Sequence, residues 1–63
     1  MIKEKEQYLY IGDDIDNSFE FTVSKIHDQD VIIVTGSGKN TNVHRVNKEH
    51  IQNKIKKGQV KLL

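Results

Sequence analysis

Residues 18 to 24 of this 63-residue chain alternate strictly, with Phe19, Phe21 and Val23 on one side and Glu20, Thr22 and Ser24 on the other. A period of two with one polar face marks a β-strand that is wet on one side. Further on comes Val31-Ile32-Ile33-Val34, an unbroken β-branched run. Such side chains lose rotamer freedom against a helical turn and suit a pleated surface. A continuous apolar run reads as a strand covered on both faces, hence central in its sheet. These two segments commit the chain to a sheet, and the rest has to be read against them.

Upstream, Gln7-Tyr8-Leu9-Tyr10-Ile11 ends at Gly12 and reads as a strand, with the tyrosines on one face and Leu9 and Ile11 on the other. Asp13-Asp14-Ile15-Asp16-Asn17-Ser18 is rich in side chains that bond their own backbone and is read as a turn or loop. After Val23 the apolar phase shifts, since Ile26 falls on the side opposite Phe21. A bulge near Lys25, or the end of the strand, accounts for that. His27-Asp28-Gln29-Asp30 is a polar connector, and the loop Gly36-Ser37-Gly38-Lys39-Asn40-Thr41 returns the chain into a short strand, Val43-His44-Arg45-Val46.

The period then changes. Asn47 suits a helix N-cap, and Val46 and Ile51 have the spacing of a hydrophobic staple. Ile51 and Ile55 lie one turn apart, Lys54, Lys56 and Lys57 crowd the last turn, and Gly58 stands where a left-handed residue ends the helix. Gln59 to Leu63 is long enough for a closing strand.

The expected order is β-β-β-β-α-β in one domain, residues 1–63. The fold class is α+β: a small antiparallel five-stranded sheet, or a partly open SH3-like barrel, with one short helix before the last strand. SH3-like describes layout only and carries no function. Strands are placed near 7–11, 18–25, 31–35, 42–46 and 59–62, with the helix at 48–57. The expected core is Leu9, Phe19, Phe21, Val23, Ile32, Val34, Val46, Ile51, Ile55 and Leu62. Val31, Ile33 and Leu63 are expected to leave apolar surface uncovered if one sheet face is open, which favours association with a partner or a second copy.

A chain this short has no room for a cofactor domain beside a substrate domain, and no cofactor is expected. It has no cysteine, so neither a disulfide framework nor a thiolate metal site can form. Met1-Ile2-Lys3-Glu4-Lys5-Glu6 is charged and lacks the apolar stretch of a signal peptide, and no membrane-spanning segment is apparent. A cytoplasmic setting is expected. Nine Lys against one Arg, eight Ile and no Ala suit an AT-rich coding sequence, as in a low-GC bacterium, a virus of one, or a mobile element.

Net charge is +1 but unevenly spread. Residues 1–30 carry three lysines against eight carboxylates, a balance of −5, while residues 31–63 carry seven basic groups against Glu49, a balance of +6. Such asymmetry marks a nucleic-acid or acidic-partner surface, or two halves that complement each other side by side.

Gly36-Ser37-Gly38-Lys39 invites comparison with a phosphate-cradling P-loop. That motif needs a glycine four residues ahead of the Gly-Lys pair, then Ser or Thr, then a helix. Position 33 is Ile, Asn40 follows Lys39, and a strand comes next, so the motif fails. His27, His44 and His50 supply no convincing zinc set. Counting an EF-hand from Asp14 puts Asp16 at position three but Ser18 at five, Phe19 at six and Lys25 at twelve, which does not fit. Ser18, Ser24 and Ser37 have no orienting base by sequence, and so small a chain can scarcely build a water-excluding pocket. The chain is read as a non-enzyme.

Surfaces remain. Lys39, Arg45, Lys48, Lys54, Lys57 and Lys61 can form a basic stripe for phosphate contact, although a pI of 8.0 and a single Arg argue against base readout. Tyr8 and Tyr10 share one face of an N-terminal strand read as a sheet edge, and tyrosine is enriched at interfaces. The expected function is a small binding module that regulates or inhibits a larger protein, with nucleic acid as the alternative partner. The candidate contacts are Tyr8, Tyr10, Lys39, Arg45, Lys54 and Lys57.

Overall fold

A computed structural model describes residues 2–12, 18–36 and 38–63. Its strands are β1 (Gln7–Tyr10), β2 (Phe19–His27), β3 (Asp30–Thr35), β4 (Asn42–Asn47) and β5 (Val60–Leu62), with α1 (Lys48–Lys56) between the last two and a 3-10 turn at Gly38–Asn40. They form one open antiparallel sheet in the order β4-β3-β2-β1-β5. The first four strands pair with their sequence neighbours, and α1 carries the chain from one sheet edge to the other. Two readings need correcting. β1 lies between β2 and β5 and is not an edge, and β3 is one strand from the edge while β2 holds the centre.

The phase break in β2 is a bulge. Val23 opposes Ile33 and Lys25 opposes Ile32, so Ser24 is the extra residue. The bulge returns Ile26 to the side of Phe21 and Val23, where it packs against the core. The freed backbone is claimed by the N-terminal segment. Lys5 donates its N–H to the Val23 carbonyl at 2.6 Å, and the Glu4 carboxylate accepts the Ile26 N–H at 2.7 Å. Ile2 reaches the core and is 4% exposed. A stretch that reads as merely charged thus seals one side of the sheet.

One face of the sheet carries the core: Tyr8, Phe21, Val23, Val31, Ile33 and Val60, covered by Ile51 of α1, with Ile55 packed at the margin. The parity is the reverse of the expected one at Leu9, Ile32 and Val34. Register fixes it. Tyr8 opposes Phe21 and Leu62, Val23 opposes Ile33, and Ile26 opposes Val31, so these side chains share a side. Leu62 lies on that side but at the sheet's edge, and is 60% exposed. Leu9, Ile32 and Val34 stand half-buried on the opposite face, which α1 does not cover. Phe19 shares the side of the core yet is 43% exposed.

The helix ends follow their local signals. The Asn47 side chain accepts the N–H of Glu49 at 2.9 Å and of His50 at 3.3 Å. At the other end Gln59 N–H bonds the Lys54 carbonyl and Gly58 N–H that of Ile55, a full Schellman motif with Gly58 at φ 76. No described helix is long and apolar enough to cross a membrane.

Candidate aromatic and basic groove

α1 packs chiefly against β4 and β5, and aromatic surface at Phe19 of β2 is left open. Tyr10 and Phe19 face each other in the register, and their rings stack with centroids 5.0 Å apart. Beneath them Tyr8 stacks on Phe21 at 5.6 Å, and Phe19 approaches Phe21 at 6.3 Å in a tilted geometry. The chain's aromatic side chains therefore form one connected group that starts in the core and ends at the surface with Phe19.

The open end of this group floors a groove of about 310 Å³. Ile33, Val46 and Val60 complete the floor, and Ile51, His50 and Lys54 of α1 form the wall. His50 and Lys54 are one helical turn apart, so the spacing that turns Ile51 inward brings both to the rim. Lys54 is half-buried and lines the groove, as a lysine can while its ammonium stays in water. Among the described lining residues there is no carboxylate. On the other flank of α1, a depression lined by Lys3, Glu6, Tyr8, Ile55, Val60 and Leu62 carries both signs of charge and no exposed ring. A shallow hollow at Leu9, Ser18, Glu20 and Gly36 has no basic group.

The groove unites two halves of the sequence that look separate. Tyr10 and Phe19 come from the acidic half, and His50 and Lys54 from the basic half. An apolar aromatic floor with a cationic rim can hold an apolar group that carries or adjoins a negative charge.

Of the expected contact residues, Tyr10 and Lys54 meet here. Tyr8 does not: it is 3% exposed, and its hydroxyl accepts the Lys3 N–H at 3.0 Å, so its ring offers no surface. Lys39 is exposed in the 3-10 turn at the β3–β4 tip, and Lys57 is exposed at the helix C-cap. Arg45 opposes Ile32 and so lies on the face away from α1. The basic residues are therefore spread over both faces and do not make one stripe. Phe19 and His50 are groove residues that the sequence reading did not select. The hint for Phe19 was its position at the start of a strand, directly after a run of Asp, Asn and Ser in the sequence.

Gly36 at φ 83 and Gly38 at φ 60 open the β3–β4 connection, which passes through the 3-10 turn into β4. Among the described residues no three His, Asp or Glu side chains gather to hold a metal. His44 Nε2 lies 3.4 Å from Thr35 Oγ1, and His27 Nδ1 lies 3.7 Å from Asp28 at the surface. Asp13, Asp14 and Asp16, which the sequence places in a turn or loop, and Ser37 lie outside the described residues. No protein-family model matches the chain, and neither the curated proteins nor the solved structures compared with it yielded a match.

Proposed function

We propose that the chain is a non-enzymatic binding module, a small regulator or inhibitor of a larger protein, and that it holds an apolar anchor of that protein in the groove between α1 and the sheet. One observation carries the reading: Phe19, stacked on Tyr10, is 43% exposed in a groove whose rim carries His50 and the basic Lys54. Aromatic anchors in desolvated pockets dominate the energetics of protein interfaces, and rim charges steer and select the partner. A carboxylate next to the anchor suits Lys54. The lysine-rich, isoleucine-rich composition supports a source in a virus or mobile element of a low-GC host.

Single-stranded nucleic acid is the competing reading, since stacked rings beside a lysine also suit a base and its phosphate. It needs a basic track along the backbone, and Arg45 and Lys39 do not extend the groove. The deciding experiment is affinity capture from cell lysate with and without nuclease, using the native chain and Phe19→Ala. A protein retained after nuclease by the native chain and lost by the variant supports the proposal. Nucleic acid as the only captured species would sink it.

A further inference from the structure

The two edges of the sheet are unlike. β5 is three residues long, a length that by itself limits pairing with another chain. β4 is six residues long, pairs with β3 without a register shift, and contains no proline. All of it except Val46 is exposed. Edges of that length are normally blunted by bulges, prolines, charged side chains or a covering element, and among the described residues β4 has only the charge of Arg45.

Its backbone direction can be worked out from the ladder. Val23 donates its N–H to Glu6 and so faces away from β3, which turns the backbone of Ile33 toward β4 and His44. Antiparallel strands alternate, so Val43 and Arg45 direct their N–H and C=O groups outward while His44 bonds inward. The same two residues place their side chains on the uncovered face, where Val43 is 68% exposed. Arg45 has no carboxylate within 4 Å among the described residues, although Asp30 stands opposite the neighbouring Asn47. Between Asp30 and Glu49 the sequence holds Lys39, Arg45 and Lys48 and no acidic residue.

We infer that β4 is a strand-addition site for an extended acidic segment of a partner protein, which pairs antiparallel with Val43 and Arg45. Unpaired N–H and C=O groups in register accept an extended backbone. The charge selects its side chains: a carboxylate opposite Arg45, and an apolar residue two positions on, opposite Val43. A second copy of β4 fits poorly. Two-fold antiparallel pairing centred on Arg45 opposes like charges, and pairing centred on His44 sets each Arg45 against a Val43 and supplies no carboxylate. The site lies outside the groove and stands whether or not the groove binds.

The test uses the full chain and a blocked synthetic octapeptide with Glu-Thr-Val at its centre, followed by amide exchange. Exchange should slow at Val43 and Arg45 and stay unchanged at His44, whose amide is already bonded. Arg45→Glu should weaken binding about five- to tenfold, and a peptide with Lys in place of Glu should restore it. Val43→Pro removes one outward N–H without touching the β3 ladder, and it should abolish the protection. Absence of binding, or perturbation confined to Tyr10, Phe19 and Lys54 with β4 unchanged, would overturn the inference. So would concentration-dependent protection of Val43 and Arg45 in the free chain, which would identify a second copy as the occupant.

Discussion

Glu4 and Ile26, 22 residues apart in sequence, are joined by a hydrogen bond of 2.7 Å from the Ile26 N–H to the Glu4 carboxylate. The bond exists because of the bulge at Ser24, which takes Ile26 out of step with its neighbours and leaves its amide for another acceptor. Glu4→Ala should lower stability by about 1–2 kcal/mol, the usual effect of removing a charged acceptor from a backbone amide. Glu4→Gln keeps an acceptor oxygen and should lose less. Urea midpoints at constant slope measure both, and an unaffected Glu4→Ala variant would show that water replaces the carboxylate without penalty.

The ends of α1 give a second comparison. Asn47→Ala removes the acceptor of two first-turn amides and should cost about 1 kcal/mol, while Asn47→Asp should cost much less. At the other end, Gly58→Ala meets open space and carries only the backbone penalty of φ 76, about 1 kcal/mol. Gly36→Ala should be worse than either, because a Cβ there overlaps the Asn40 carbonyl oxygen. Thermal unfolding of the three alanine variants should rank Gly36→Ala as the least stable.

The helix was legible for the same reason that it is testable: its signals are local. Asn47, Ile51, Ile55 and Gly58 lie within one short stretch and point to one structure. The strands were legible as strands, and the shift of phase at Ile26 does mark a bulge. The side of the sheet that faces the core was not legible. Val31-Ile32-Ile33-Val34 has no polar residue to mark the wet face, and in Tyr8-Leu9 the more apolar residue proved to be the outer one. Parity there is decided by pairing with Phe21 and Val23, a long-range relation. The groove was hidden for a related cause. Its aromatic and basic sides lie in different halves of the chain, and only the sheet with its crossing helix brings them together.

That parity is open to a direct check. Val23 and Val31 are fully buried, and Val23→Ala or Val31→Ala should cost about 1–3 kcal/mol through lost burial and the cavity left behind. Ile32→Thr and Val34→Thr lie on the uncovered face and should stay within about 1 kcal/mol of the native chain. If the threonine variants were the more damaged pair, the core would lie on the other face of the sheet.

Phe19 and Phe21 provide the sharpest contrast, since they are neighbours on one strand and one side yet differ in burial, 43% against 4% exposed. Phe21→Ala should cost about 3–5 kcal/mol and threatens folding in so small a domain. Phe19→Ala should cost clearly less, because part of its ring is already in water and part of its contact with Tyr10 is at the surface. Binding should rank them differently. Phe19→Ala should weaken capture of the protein partner by about tenfold or more while leaving the fold intact, as expected for an aromatic anchor contact. Lys54→Ala should act more mildly, and its effect should shrink as salt rises, since an exposed charge at 0.15 M salt is screened within about 8 Å. Titrations at two salt concentrations separate the contributions. A steep salt dependence with Phe19→Ala silent would mean that the groove's charge, and not its aromatic floor, holds the partner.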